Sequence, residues 1–377
     1  MKIGVLDTDH YFYIYTLVQL FGENGNEITI YTNPKIYKRC QTDLKGLSNV
    51  NYFVQEENES WGDFMMKNSD RINQSGFDYF FLLPIYGHYK EHYEFISKLT
   101  TNNILVVFNL NGWINPPFSG LRNISKNRYK KMTIEMMECI AVDEHYDSCA
   151  RKRGFTKKII HIPSTLYNPG LHLHTELKES PVKIIVPGSI DKERRDYHIV
   201  LDALEMVMKK RKDFSVILLG DPIGEYGKEI QLRAKSINEQ NSSDIILWYD
   251  KLYSDAEFAK QMFSGHFLIA PVLPEFKLDG ITEIYGLSKS TGSCFDLLAF
   301  AIPGIFPSWL SVNPRLDSAT LRYQNKEELK EVLLHLLDHP EKIKELRKKA
   351  LQNSSWYTID LVRSRLMKSL PLPQLQR

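Results

Sequence analysis

The chain has 377 residues, and globular domains run to roughly 100–200, so two domains of similar size are the default. Hydrophobic residues at 43% and charged residues at 25% are ordinary globular values; they exclude a disordered, collagen-like or coiled-coil chain. Lys+Arg 48 against Asp+Glu 46 leave a net charge of +2, too little to provide a global field for holding nucleic acid.

The N-terminus, MKIGVLDTDH, has no apolar core of signal-peptide length. No stretch approaches the roughly 20 apolar residues that cross a bilayer. Cys40, Cys139, Cys149 and Cys294 are scattered without a CxxC pair, so neither a disulfide framework nor a structural zinc site is expected. The expectation is a soluble cytoplasmic protein with free thiols.

Residues 2–7 are a short β-rich run, and 11–25 fit a helix that ends at Gly22 or Gly25. Tyr11, Phe12, Tyr13 and Tyr15 are expected to pack this helix on the core, with one or two at the edge of a cleft. A second strand covers 27–32. The apolar runs 77–83 and 103–110 suit a parallel sheet buried on both faces, with a helix over 89–99 between them. Strands at 138–144 and 158–163 continue the alternation, with a helix near 145–153. Alternating strands and helices imply right-handed βαβ units and a doubly wound sheet.

The pattern breaks at 163–181, which holds three prolines and a glycine and reads as a linker. Alternation resumes with strands at 182–188, 214–220, 244–249, 266–271 and 303–307. Helices are predicted over 198–212, 225–239, from a Ser254/Glu257 capping box to Phe263, and over 293–301. Asn325 caps a helix over 326–338, Pro340 opens the next, and a last helix covers 354–370 before Pro371 and Pro373. The predicted class is α/β: two Rossmann-like domains over 1–165 and 166–353, then a C-terminal segment, 354–377.

Three loops at strand ends of the second half carry a chemical signal, because ligands of open α/β sheets gather there. In PGSIDKERRDY (187–197), Gly188 lets the backbone turn tightly beside Ser189, while Arg194 and Arg195 add two guanidinium groups suited to phosphate. The plain alternative is a solvated charged loop. In EIYGLSKSTGSCFD (283–296), Thr291, Gly292 and Ser293 precede an apolar helix whose first amides and dipole favour an anion. Lys289 adds charge, and Asp296 suits ribose hydroxyls; a routine N-cap explains the same residues. GDPIGEYG (220–227) matches no phosphate-loop pattern, though Asp221 could border a base or ribose.

Taken together, these loops make the second half resemble the group 1 glycosyltransferases, the retaining, nucleotide-sugar-dependent GT-B class. Their first loop has a glycine followed several residues later by a cation, as Gly188 and Arg195 stand here. Their donor motif E-x-F-G-x-x-x-x-E-A-x-A-x-G-x-P is matched at its second acidic residue by Asp296, and further on by Ala299 and Pro303. Ser355-Trp356 is similar to the family's C-terminal Ser-Trp helix that crosses back to the first domain. The chain departs from the family at Ser189, where an Arg is usual, and at Ser288, where the first Glu is usual. The pattern Y-G-x-x-K-x-[ST]-G (285–292) resembles a divergent branch.

The resemblance implies two domains facing a cleft and transfer of a sugar from a nucleotide diphosphate sugar, with retention and without metal or other cofactor. Arg194, Arg195 and Lys289 would be the catalytic cations. Gly188, Ser189, Asp221, Tyr285, Gly286, Ser288, Thr291, Gly292, Ser293 and Asp296 would bind the donor. A non-catalytic nucleotide-sugar binder and a nucleotide-sugar epimerase on the same fold are the alternatives.

On the acceptor side the family's glycine-rich first loop is replaced by Asp7-Thr8-Asp9-His10, where Asp9 and His10 are cleft candidates. The D-x-D spacing invites a metal, but helix capping explains it as well. Asn109, Asn111 and Trp113 follow a strand and combine amides with an indole, which suits a sugar. The basic stretch 125–131, with Arg151, Lys152, Arg153, Lys157 and Lys158, suits anionic lipid at the inner membrane face or a lipid-linked diphosphate acceptor. His172 and His174 lack a third ligand and read as linker. The expected partners are a nucleotide-sugar donor and a saccharide, small-molecule or lipid-linked acceptor; the oligomeric state is left open.

Overall fold

The computed structural model describes residues 1–23, 25–44, 47, 49–171, 181–249 and 254–371. His172, His174, Pro373 and much of the linker lie outside the described residues.

Two parallel sheets of the same winding stand one after the other in the chain. The first contains β1 (Lys2–Asp7), β2 (Glu27–Thr32), β3 (Val50–Val54), β4 (Tyr79–Leu82), β5 (Asn103–Val106), β6 (Cys139–Val142) and β7 (Lys158–His161), in the order 3-2-1-4-5-6-7. The second contains β8 (Val182–Pro187), β9 (Phe214–Leu219), β10 (Ile246–Trp248) and β11 (Phe267–Ile269), and then, past a hairpin of β12 (Glu275–Leu278) and β13 (Ile281–Ile284), β14 (Gly304–Pro307) and β15 (Thr320–Tyr323). Its order is 10-9-8-11-14-15. Each sheet therefore reverses direction beside its first strand, between β1 and β4 and between β8 and β11, the place where doubly wound sheets open a crevice.

The sequence dictates much of this locally. Strands β4, β6 and β14 are buried at every position, as continuous apolar runs covered on both faces must be. Ser254 and Glu257 form the expected reciprocal cap of the helix Asp255–Ser264. Asn325 accepts from the Glu328 amide at the start of the helix Lys326–Asp338, and Pro340 opens the helix Pro340–Ser354. The region 33–76, without a sequence assignment, folds as Pro34–Asp43 capped by Asn33, strand β3, and Trp61–Gln74 capped by Ser60. The first of these helices buries only Ile36 and Cys40, so its apolar period is faint.

The last helix is shorter than predicted. Residues 355–357 form a tight turn, Thr358 is extended, and the helix runs Ile359–Ser369. The break comes from packing: the Tyr167 amide donates to the Tyr357 carbonyl, and the Asn313 amide group donates to the Tyr357 hydroxyl. The final helix returns to the first domain. Arg363 donates to the carbonyls of Gln19 and Leu20, Lys158 to that of Leu370, and the Tyr79 hydroxyl to that of Pro371. A continuous apolar cluster runs from Val5 and Leu17 through Tyr167 and Tyr357 to Ile185 and Phe306, so both domains and the returning helix share one core.

Candidate functional site

A cavity of about 560 Å³ lies where the two switch points face each other. His10 and Phe12 follow β1, Tyr86 follows β4 and Phe108 follows β5; opposite them stand Arg194 and Arg195 after β8, Val272 after β11, and Tyr285 and Lys289 after the hairpin.

The C-terminal wall is cationic. Arg195 is 9% exposed, and its Nη1 reaches the Ser189 carbonyl and hydroxyl only at 3.4 Å, while its Nε has no acceptor. Among the described residues it makes no ion pair. Gly188 is shaped for it: with φ +94, a Cβ there would meet the guanidinium at 2.3 Å. Arg194 is more open, 3.2 Å from the Asp191 carboxylate and 5.2 Å over the Phe276 ring. Lys289 places its Nζ 2.8 Å from Asn109 Oδ1 and 5.0 Å from the Phe276 ring centroid. Burial pulls its pKa down to about 8; Glu283 counters that, and Arg194 adds to it.

The helix Gly292–Ala299 points its N-terminus into the same space, with Ser290, Thr291 and Gly292 on the cavity wall. Its first amides have no partner within the helix. Thr291 makes no side-chain cap, and the buried Ser293 hydroxyl has no hydrogen-bond partner. Asp296 lines the wall one turn in. Loss of hydration pushes its carboxyl up to about 7, against the pull of Arg195.

Several donor-side candidates lie elsewhere. Ser288 is buried, and its hydroxyl accepts from the Ile284 amide inside the turn after the hairpin. Gly286 holds that turn with φ +80, and its carbonyl meets His145 Nε2 at 2.6 Å. Asp221 is off the cavity, its carbonyl accepting from the Ile190 amide. Tyr285 and Arg194 do line the cavity; Ser189 lies behind Arg195.

The acceptor-side candidates separate more sharply. His10 is buried at the cavity wall, its Nδ1 3.5 Å from Asp7 Oδ1, with Tyr86 and Phe108 rings beside it. Asp9 faces solvent, and Asp7 accepts from the amides of Asp9 and His10, which closes the turn before the helix Tyr11–Phe21; that helix has no side-chain cap. Among the described residues no group of three His, Cys, Asp or Glu is placed for a metal. Trp113 does not line the cavity. It is 4% exposed, packed edge-to-face on Tyr89 in the first domain's core. Asn111 does not line it either: its side chain donates to the Thr282 carbonyl, and the amides of Asn111 and Gly112 donate to the buried Glu283 carboxylate. Asn109 does not line the cavity itself, but its side chain holds the Lys289 ammonium there. The loop read as a sugar subsite is thus a clamp between the domains.

The basic stretch is likewise largely engaged. Lys126 and the buried Lys130 bind Asp279 at the hairpin tip, at 2.8 and 2.9 Å, with the Tyr89 hydroxyl beside them. Arg151, Arg153, Lys157 and Lys158 donate to backbone carbonyls. Besides Tyr285, the wall carries the aromatic side chains of Phe12, Tyr15, Tyr86, Phe108, Phe258, Phe295 and Phe300. Phe12 and Tyr15 are the cleft-edge pair of the first helix, Tyr11 and Tyr13 its buried pair. Phe12 and Tyr15 share one face of the helix, in keeping with the expectation that one or two of its aromatic residues edge the cleft.

No protein-family model matches the chain, and no curated protein matches it. Among solved structures, the sucrose-phosphate synthase of Thermosynechococcus elongatus aligns with TM-score 0.62 at 12% identity, over 98% of both chains. A glycosyltransferase from Rickettsia africae aligns with TM-score 0.63 at 11% identity, over 97% of both. The UDP-GlcNAc 2-epimerase of Methanocaldococcus jannaschii aligns with TM-score 0.55 at 11% identity, over 88% of this chain and 92% of that one. The fold is GT-B. A likeness this remote in sequence carries the architecture alone. In that architecture the cavity described above is the interdomain cleft, with the GT-B C-terminal helix closing back on the first domain.

Proposed function

We propose that the protein is a glycosyltransferase that holds a nucleotide diphosphate sugar on the C-terminal wall and passes the sugar to an acceptor on the N-terminal wall. One observation carries the reading. Arg195 is a buried guanidinium with two long hydrogen bonds and, among the described residues, no ion pair, and it shares a cavity wall with a helix N-terminus. A buried cation without an anion is costly, and an anionic ligand removes the cost.

The diphosphate would lie between Arg194, Arg195, Lys289 and the amides of Gly292 and Ser293, with Asp296 accepting from ribose hydroxyls. The bond from anomeric carbon to phosphate oxygen breaks, and the negative charge that develops on the leaving phosphate meets fixed positive groups. These cations and amides do the work a metal would otherwise do. The acceptor oxygen bonds the anomeric carbon, and its proton passes to the departing phosphate on the same face, which retains configuration. Ser288 is turned away from the site, so the sugar hydroxyls would be met by Ser290, Thr291 and His10 instead. The acceptor, a saccharide or a lipid-linked group, would enter past Phe12, Tyr15 and Tyr86. Four free cysteines fit a reducing, cytoplasmic compartment.

Calorimetry with UDP, GDP, ADP and TDP tests the reading. One of them is expected to bind, and Arg195→Ala to weaken it at least about tenfold, in line with a lost charged hydrogen bond. Binding of none of the four, or equal binding by the variant, would overturn it.

A further inference from the structure

The segment that leaves the interdomain clamp carries a surface the donor reading does not use. Phe118 is 77% exposed, Leu121 80% and Ile124 49%. Single exposed apolar residues are ordinary, but three on one short turn are not. They stand at the entry to the helix Ile124–Met136, after Pro116 and Pro117. A shallow groove joins Pro117, Phe118 and Ile124 to Met132, Arg128 and Lys131.

The charges around the groove are of one kind at its tip. Arg128 and Lys131 follow Ile124 on the same helix face, and Arg122 is exposed between Leu121 and Ile124. Lys131 has Glu135 at 3.8 Å, at the far end of the groove. Arg122 and Arg128 make no ion pair among the described residues. The opposite face of this helix is spent on the molecule itself, since Lys126 and Lys130 hold Asp279. The helix therefore has one basic face that fastens the hairpin and one that is free beside an exposed apolar tip.

We propose that this tip docks on a bilayer containing anionic lipids, with Phe118, Leu121 and Ile124 entering the acyl boundary and Arg122 and Arg128 meeting lipid phosphates. Apolar side chains in the middle with cations at the rim fit the layered polarity of such a surface. A polar protein partner would leave the three apolar groups uncovered. The site is separate from the cleft and binds without nucleotide or acceptor.

The test is co-sedimentation of the full chain with vesicles of phosphatidylcholine alone or mixed with phosphatidylglycerol. Binding to the mixed vesicles is expected to be stronger by on the order of tenfold, as two free cations imply, and to fall with salt. Phe118→Ser with Leu121→Ser, and separately Arg122→Ser with Arg128→Ser, are each expected to remove most of it. Both pairs are exposed, so the melting temperature and any nucleotide binding stay unchanged and report an intact fold. Equal binding to both vesicle types, unchanged binding by either variant, or loss of a dimer in light scattering when Phe118 and Leu121 are replaced would overturn the proposal. Failure of nucleotide binding in the unaltered protein bears on the cleft alone.

Discussion

The two walls of the cleft use polar groups in opposite ways. Arg195 Nε on the C-terminal wall and the Ser293 hydroxyl just behind it have no hydrogen-bond partners, and the helix Gly292–Ala299 presents its N-terminus beside them. On the N-terminal side the polar groups of the loop after β5 are already engaged: Asn109 with Lys289, Asn111 with Thr282, and the amides of Asn111 and Gly112 with Glu283. What remains open on that wall is mostly aromatic, apart from His10 Nδ1 and the Ser164 hydroxyl, which have no hydrogen-bond partner. Unmet polar groups mark where a polar ligand is awaited, whereas met ones mark where the two domains are held together.

The sharpest way to break this contrast is at Arg195. If its charge serves a ligand, Arg195→Ala costs about 2–4 kcal/mol of transition-state stabilisation, or roughly a hundredfold in turnover, with little loss of fold stability. Comparing kcat/KM with the urea midpoint separates the two effects. A variant that unfolds earlier but turns over normally would make Arg195 a structural residue and erase the distinction between the walls.

Glu283 is the complementary test. Glu283→Ala leaves the amides of Asn111 and Gly112 buried without an acceptor, a loss of about 2–3 kcal/mol in stability. Thermal unfolding should fall by several degrees, while nucleotide affinity measured well below the transition stays within about twofold. An unshifted transition would mean that the clamp contributes nothing and that this carboxylate is free for other work.

The contrast between the walls also explains how far the sequence could be read. The apolar runs, the Ser254/Glu257 cap and the Asn325 cap are set by neighbours a few residues away, and they fold as their spacing says. That Arg194, Arg195, Thr291 and Asp296 face the cavity was also legible, because strand ends and helix starts beside a switch point need no distant partner to face the crevice. Asn111 and Trp113 were not. Asn111 answers to a carboxylate 172 residues away, and Trp113 to the ring of Tyr89 in the core. The residue types that suit a sugar also suit a domain clamp, and only the fold distinguishes them. Ser288 misled for the same reason: its motif position predicted a ligand contact, and its hydroxyl closes a turn.

Smaller effects come from the titrating pair. Asp296 holds its proton in the fold up to about pH 7, whereas in the unfolded chain it sheds it near 3.8. Folding stability therefore falls as pH rises between those values, and the full penalty remains above them. Lys289 gives up its proton near pH 8 in the fold but only near 10.5 when unfolded, so its penalty is complete below about 8 and disappears as pH rises to 10.5. Asp296→Asn at pH 8 and Lys289→Met at pH 7 should each raise stability, by about 1 kcal/mol after solvent screening at the cleft. Both should weaken nucleotide binding in calorimetry. A gain in stability without a loss of affinity would show that the strain on this wall serves no ligand.

The smallest effect is expected at Asp9, and it bears on the other wall. Asp9 projects into solvent, where the Thr8 hydroxyl donates to it at 2.9 Å, while Asp7 closes the turn before the following helix. Asp9→Ala should leave turnover and nucleotide affinity within about twofold, since surface changes away from buried partners are worth less than about 0.5 kcal/mol. Asp7→Asn, at that turn, weakens a charge-assisted bond to the His10 amide and shifts the ring that faces the cavity, so it lowers kcat with a modest loss of stability. If Asp9→Ala were instead the damaging change, and added Mn²⁺ or Mg²⁺ altered activity only in the unaltered protein, the D-x-D would be a metal site after all. The N-terminal wall would then hold a ligand-binding charge of its own, and the division of labour between the walls would fail.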